Sequence, residues 1–210
     1  MSLWNFQPQP TAKVVRRTFF SFHYAPDNQR AQVVKQSWLT KSDRQAAGFF
    51  DSSAMETKKR TSHEALKAFL TEQLKGTSVT CVLIGTDTAF RPWVRYEIVR
   101  SFQRGNGLFG IRVHNIKNFQ QLYSAAGENP FEHLAYRVQN NRVTWLEKKG
   151  GAWASYGEVP SIALADVAYT LGGKHYHTFS SLFPIYDWVF NAGYSNLGTW
   201  VDQAARQAGK

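Results

Sequence analysis

The feature that most constrains the fold is the near-continuous apolar segment Val79-Thr-Cys-Val-Leu-Ile84, which ends at Gly85. A strand that faces water on one side alternates apolar and polar residues, whereas a strand covered on both faces does not. The segment therefore predicts a strand in the interior of a parallel sheet. Parallel neighbours must be joined to it by crossovers of about a dozen or more residues, which are usually helices.

Strand-like and helix-like segments alternate on both sides of this strand. Strands are predicted at residues 17–22, 46–50 and 108–113. A capping box at Thr61 and Glu64 opens one helix, and Pro92 lies near the start of another. This alternation predicts an α/β fold with a doubly wound, flavodoxin-like parallel sheet flanked by helices. The expected core stripes of the helices are Ala31, Val34 and Trp38; Leu66, Phe69, Leu70 and Leu74; and Val94, Ile98 and Phe102.

The pattern changes after residue 117. Short aromatic-rich runs at 136–138, 143–146 and 153–156 are separated by Asn-Asn and Gly-Gly pairs, which predicts an antiparallel meander. Two closing helices are predicted, at 180–190 and 197–207. We divide the chain into an N-terminal extension (1–15), an α/β domain (16–117) and a C-terminal elaboration (118–210) packed on the same domain.

Charge and composition limit the classes of partner. The formal net charge is +10, and residues 1–117 carry all of it, with 18 Lys and Arg against 8 Asp and Glu. Such an imbalance favours nucleic acid, an acidic surface or a phosphate-bearing small molecule as partner, although a solubilising surface is the alternative. The single cysteine, Cys81, excludes an internal disulfide. No apolar run has signal-peptide or membrane-span length, so we expect a cytoplasmic protein.

Two candidate motifs fail on their context. The G-x-G-x-x-G run at 105–110 follows a predicted helix and opens a strand, the reverse of a dinucleotide fingerprint. His175 and His177 have no third ligand at a recognisable spacing, so no metal is expected.

The remaining candidate is Trp93-Val-Arg-Tyr-Glu97, at the start of a predicted helix. Trp93 and Glu97 are four residues apart and share a helix face. Ligands of doubly wound sheets bind at the carboxyl ends of the strands. We therefore expect one cleft to bring these two residues together with strand-end residues, although a surface glutamate beside a packing tryptophan is the alternative. The expected strand-end residues are Ser21, Phe22, His23, Asp51 and Thr86.

These residues carry a family resemblance. Phe19-Phe-Ser-Phe22 resembles the first box of TIR domains, Gly48-Phe-Phe-Asp51 their second strand, and Trp93 to Glu97 the W-x-x-x-E of their enzymatic members. Residues 17–201 resemble, more closely, the TIR-like sensor proteins of the bacterial Thoeris anti-phage system. The N-terminal extension is outside this resemblance.

The resemblance implies an NAD-consuming enzyme that cleaves the nicotinamide–ribose bond, with Glu97 as the catalytic residue. Trp93, Phe22 or Tyr24 would stack on the substrate, and no cofactor beyond the NAD substrate is expected. The implied product is a cyclic ADP-ribose-type nucleotide that activates a separate effector protein after an unknown phage trigger. The alternative is a non-catalytic TIR-like module that binds a nucleotide or a protein. Nucleic-acid binding is a weaker interpretation, because no RRM, KH or helix-turn-helix signature is present.

Overall fold

A computed structural model describes residues 15–40, 42–48, 62–171 and 176–210. Four α-helices are present in these ranges: α1 (Tyr24–Leu39), α2 (His63–Gln73), α3 (Pro92–Gln103) and α4 (Gly193–Gln207). The strands of the same ranges are β1 (Arg16–Phe22), β2 (Arg44–Ala47), β3 (Val79–Ile84), β4 (Gly107–Arg112), β5 (Leu134–Gln139), β6 (Arg142–Lys149), β7 (Ala152–Ser155), β8 (Ile162–Ala163), β9 (His177–Thr178) and β10 (Ile185–Asp187).

The first sheet has five parallel strands in the order β10-β4-β3-β1-β2. All six residues of β3 are buried. Val82 and Ile84 pack in one apolar cluster with α2 and α3, whereas Val79, Cys81 and Leu83 pack in another with α1 and α4. Both faces of the sheet are therefore covered by helices. The prediction of a doubly wound α/β fold, and of β3 as an interior strand, is confirmed.

One predicted helix is wrong. Residues 180–190 contain a short 3-10 turn at Phe179–Ser181 and then β10, which pairs in parallel with β4. Its Ile185 lies opposite Gly110, and Tyr186 lies opposite Ile111. The β-branched and aromatic residues after Pro184 thus pair with the edge of β4 that faces away from β3. This long-range pairing overrides local helix propensity. The second closing helix is confirmed as α4, which begins at Gly193, earlier than expected.

Two boundaries differ from the sequence expectation. Strand β2 lies at Arg44–Ala47 rather than 46–50. Gly48 follows the strand and has a positive φ of 87°. Residues 49 and 50 lie outside the described ranges. The N-cap of α2 is Ser62, whose Oγ accepts a hydrogen bond from the Ala65 backbone N–H at 3.0 Å. The expected cap, Thr61, lies outside the described ranges.

The second sheet is antiparallel, in the order β7-β6-β5-β9, with β8 paired to β6. Asn140 and Asn141, both with positive φ, form the tight turn between β5 and β6. The sheet packs on α3, where Phe102 stacks on Tyr136 at 5.8 Å between ring centroids. The meander prediction is confirmed, and the three domain ranges stay predictions. None of the helices in the described ranges is long and apolar enough to cross a membrane.

Candidate active site

Helix α3 carries Glu97 into the interior at the carboxyl half of β1. The helix begins at Pro92 and presses Val94, Ile98 and Phe102 into the core, as the apolar stripe predicts. Glu97 is only 4% exposed, and its Oε2 accepts a hydrogen bond of 2.5 Å from the Ser21 hydroxyl of β1. A residue of the helix and a residue of the strand, 76 positions apart, therefore form one buried polar pair.

Burial governs the charge of this pair. Removal of the Glu97 carboxyl from water disfavours its ionised form and raises its pKa from 4.5 to about 8, although the hydrogen bond from Ser21 acts in the opposite direction. The free protein therefore holds much of Glu97 protonated at neutral pH. A cationic ligand placed beside the carboxyl would favour ionisation.

Aromatic residues and a hydroxyl occupy the neighbouring strand ends. Phe22 and Tyr24, both half-buried, stack on each other with ring centroids 5.9 Å apart. His23 occupies the N-cap position of α1. Thr86, after β3, donates its hydroxyl to the Ala125 carbonyl at 2.8 Å, which ties the β3–α3 loop to the segment after β4.

Trp93, one helical turn before Glu97, lines a cavity that does not include Glu97. Its ring contacts His63, with centroids 4.7 Å apart, and Tyr96, at 6.1 Å. The cavity has a volume of about 200 Å³ and lies between α2, α3 and the antiparallel sheet. Glu97 is absent from its lining, which includes His63, Trp93, Tyr96, Glu147, Tyr156 and Glu158.

The structure thus brings Ser21 and Glu97 into direct contact and places Phe22, His23, Tyr24 and Thr86 on adjoining segments. The contacts of Trp93 run towards α2 instead, so a common cleft for Trp93 and Glu97 stays a prediction. Asp51 lies outside the described ranges. The binding roles of all these residues stay predictions.

Sequence reasoning missed Asp27. This carboxyl lies in the first turn of α1, is 1% exposed, and packs directly against the backbone of Gly85 at the end of β3. Burial raises its pKa from 3.8 to about 6, and the positive charge of Arg30 acts in the opposite direction. A side-chain carbon at Gly85 would clash with the Asp27 carboxylate. The terminating glycine of the β3 motif was the sequence signal for a close approach of this kind.

Sequence reasoning also missed Glu147 of β6. Its Oε2 lies 3.0 Å from Nη1 of Arg95, and both side chains are nearly buried, at 9% and 12% exposure. Arg95 lies between Trp93 and Glu97 on α3, and it also donates from Nε to the Ala89 carbonyl at 3.0 Å. The pair ties the antiparallel sheet to the start of α3. A glutamate that directly follows the apolar pair Trp145-Leu146 was the available signal.

Comparison with known proteins gives two findings. The family model for the Thoeris protein ThsB, TIR-like domain, matches residues 19–118. A curated protein of Bacillus cereus (strain MSX-D12), named "Putative cyclic ADP-D-ribose synthase ThsB1", is 39% identical over 193 residues, which are 90% of this chain and 100% of the relative. The chain belongs to the ThsB family of Thoeris proteins. The TIR-like match of this family covers both Ser21 and Glu97 as well as Trp93.

The resemblance to Thoeris sensors is thereby confirmed, and with it the expected TIR-like fold. Within the described ranges, no group of three or more His, Cys, Asp or Glu side chains is placed to hold a metal ion. Of the two histidines weighed as ligands, His177 stacks on Tyr136 with centroids 5.1 Å apart, and His175 lies outside the described ranges. That the protein needs neither a metal nor a cofactor stays a prediction.

Proposed function

We propose that this ThsB-family protein is an NAD-consuming TIR enzyme that breaks the nicotinamide–ribose bond and makes a cyclic ADP-ribose-type signal nucleotide. The name of the Bacillus cereus relative, which covers nearly the whole chain, supports this assignment of product class. The observation that carries the mechanism is the buried Glu97 carboxyl, held by the Ser21 hydroxyl at the carboxyl half of β1.

The chemistry needs only one carboxyl group. Nicotinamide is a cationic pyridinium in NAD and leaves as a neutral base when the electron pair of the glycosidic bond moves to its nitrogen. No general acid is required, unlike ordinary glycoside hydrolysis with its two carboxyl groups. The developing positive charge is then on the ribose, where a preorganised carboxylate from Glu97 stabilises it.

The pKa of Glu97 suits this sequence of events. Because burial holds that pKa near 8, the empty site carries little unpaired charge at neutral pH. The pyridinium of NAD favours the ionised carboxyl, so binding the cation assembles the charge that stabilises the ribosyl cation. The Ser21 hydroxyl, which donates to Oε2, orients the carboxyl and assists its ionisation.

The acceptor of the ribosyl cation determines the product. Attack by water gives ADP-ribose, whereas attack by a nucleophile of the same molecule, with loss of its proton, gives a cyclic isomer. Effective molarity favours the internal nucleophile when a closed site holds it near the cation. We assign the second course. The cyclic nucleotide would then bind a separate effector protein and shift its population of states.

The remaining substrate contacts follow from position. Phe22 and Tyr24 offer aromatic surface beside Ser21, and Trp93 offers its ring one turn before Glu97. His23, Thr86 and Asp51 complete the proposed substrate-binding set. NAD and the effector, reached through the nucleotide, are the proposed partners, together with a phage-derived trigger.

The test is chromatography of NAD after incubation with the purified protein, with and without phage lysate. We expect release of nicotinamide together with a product that co-elutes with a cyclic ADP-ribose standard. Glu97→Gln should lower the rate at least about 100-fold, as for other preorganised electrostatic groups. Glu72→Gln, which removes an exposed carboxylate that pairs with Lys75, is the matched control and should keep the wild-type rate.

Full turnover by Glu97→Gln would refute the catalytic assignment. No turnover of NAD by the wild type under any trigger would instead favour the non-catalytic TIR-like binding module.

A further inference from the structure

A second pocket, of about 320 Å³, opens at the amino-terminal edge of the parallel sheet. Arg16 and Arg44, the first residues of β1 and β2, line it together with Arg206 of α4. Arg16 precedes Ser21 by five positions of one strand, which at about 3.3 Å per residue is roughly 16 Å. The pocket is therefore distinct from the candidate active site at the carboxyl ends of the strands.

Arg44 is held in place by packing. Its guanidinium lies over the Trp38 ring, 4.6 Å from the centroid. On the other side it lies against Gly198 of α4, where a side-chain carbon would clash with Nη2. A glycine inside a helix costs about 1 kcal/mol relative to alanine, so Gly198 is explained by the space that it leaves for this guanidinium.

Arg16 is also fixed, by an ion pair of 3.2 Å between its Nε and Asp202 Oδ1. Asp202 follows Gly198 by four residues and precedes Arg206 by four, so these three residues share one face of α4. This face of α4 therefore supplies the space at Gly198 that the Arg44 guanidinium occupies and the carboxylate that pairs with Arg16. It also supplies the third guanidinium, that of Arg206.

The charges of the pocket are unbalanced. Within the described ranges, three arginines line it against two carboxylates, Asp43 and Asp202, and Asp202 is paired with Arg16. Among the described residues, the structure gives Arg44 and Arg206 no carboxylate partner within ion-pair distance. Guanidinium groups match phosphate oxygens with paired N–H donors, and a group already fixed by packing loses less freedom on binding.

We propose that this arginine pocket binds the diphosphate of a small phosphorylated ligand, of the size of a nucleoside diphosphate. Its volume is at the lower end of the range for small-molecule sites, which fits a single nucleotide better than a dinucleotide. The site does not depend on the proposed NAD chemistry.

The test is isothermal titration of the full-length protein with pyrophosphate and with ADP; adenosine is the uncharged control. We expect both phosphate ligands to bind and adenosine not to bind. Arg44→Gln and Arg206→Gln should each weaken the binding of pyrophosphate about tenfold or more, because each removes charge-assisted hydrogen bonds. Arg137→Gln, at an exposed position of β5, removes the same charge elsewhere and should leave the affinity unchanged.

Gly198→Ala supplies a second test, since it displaces the Arg44 guanidinium without removing a charge, and it should weaken pyrophosphate binding as well. Arg206 is exposed, so its variant should fold even if an Arg44 variant does not. Wild-type affinity for pyrophosphate in Arg206→Gln and Arg44→Gln, or equal losses in Arg137→Gln, would overturn the proposal. So would a wild-type protein that binds neither pyrophosphate nor ADP at millimolar concentration.

Discussion

The hydrogen bond from Ser21 to Glu97 makes a quantitative prediction for the variant Ser21→Ala. The substitution removes the donor 2.5 Å from Glu97 Oε2 and leaves the carboxyl in the same buried position. A hydrogen bond to an ionised group is worth about 1.5–3 kcal/mol, and one pKa unit corresponds to about 1.4 kcal/mol. The pKa of Glu97, already near 8, should therefore rise by about one to two units.

The assay is kcat/KM for NAD as a function of pH, because this ratio reports ionisation in the free enzyme. If the ionised carboxyl is the active form, wild-type activity rises with pH to a plateau above about 8. For Ser21→Ala the midpoint should move to higher pH. Activity at pH 7 should fall about 10-fold to 100-fold, and part of it should return at high pH.

Ser101→Ala is the matched control. Ser101 is buried on the same helix as Glu97, and its hydroxyl is hydrogen-bonded to Thr80 Oγ1 at 2.7 Å. Its removal should cost stability without moving the pH midpoint. An unmoved midpoint in Ser21→Ala, or an equal shift in Ser101→Ala, would refute the reasoning.

Three further predictions concern stability. The folded protein binds the Glu97 proton more tightly than the unfolded chain does, so ionisation of this carboxyl destabilises the fold as pH rises from about 4.5 to 8. Glu97→Gln should therefore raise the midpoint of urea unfolding at pH 8 but not at pH 4. Gly85→Ala should lower the free energy of unfolding by about 1–3 kcal/mol through overpacking. Adding Asp27→Ala, in a double-mutant cycle, should recover part of that loss. Glu147→Ala should lower the free energy of unfolding, measured by chemical denaturation, by about 3–5 kcal/mol, because it leaves the buried Arg95 guanidinium without its carboxylate partner. A loss below about 1 kcal/mol would show that water replaces the pair.

The sequence alone predicts the elements whose pattern is local. The apolar run of β3 is nearly continuous in the sequence, and the stripe of Val94, Ile98 and Phe102 on α3 repeats every four residues; the structure has both where they were expected. Strand β10 has only three residues, which is too short for a periodic signal, and its pairing with β4 connects positions about 75 apart. It exists because the edge of β4 offers hydrogen-bonding partners, and that information is absent from residues 180–190.

The candidate site shows the same difference between local patterns and long-range contacts. Glu97 was singled out by a four-residue spacing on one helix, and such a spacing does not give the direction in which each side chain points. That Trp93 and Glu97 border one cleft stays a prediction. The structure turns Trp93 towards His63 and a cavity lined by the antiparallel sheet, because residues of β6 such as Glu147 pack beside the start of α3. No local pattern in residues 92–103 contains that long-range contact.

The topology of the sheet explains why Ser21 is the partner of Glu97. Strand β1 pairs directly with β3, and α3, which follows β3, packs over both strands. A residue on the flank of α3 therefore meets the side chain of β1 that points to the same face. Ser21 supplies a hydroxyl at that point, within a strand whose neighbours Phe19 and Phe20 are apolar and buried. The order of the strands thus places the carboxyl out of water with the Ser21 hydroxyl beside it, and in such surroundings its charge responds strongly to an arriving cation.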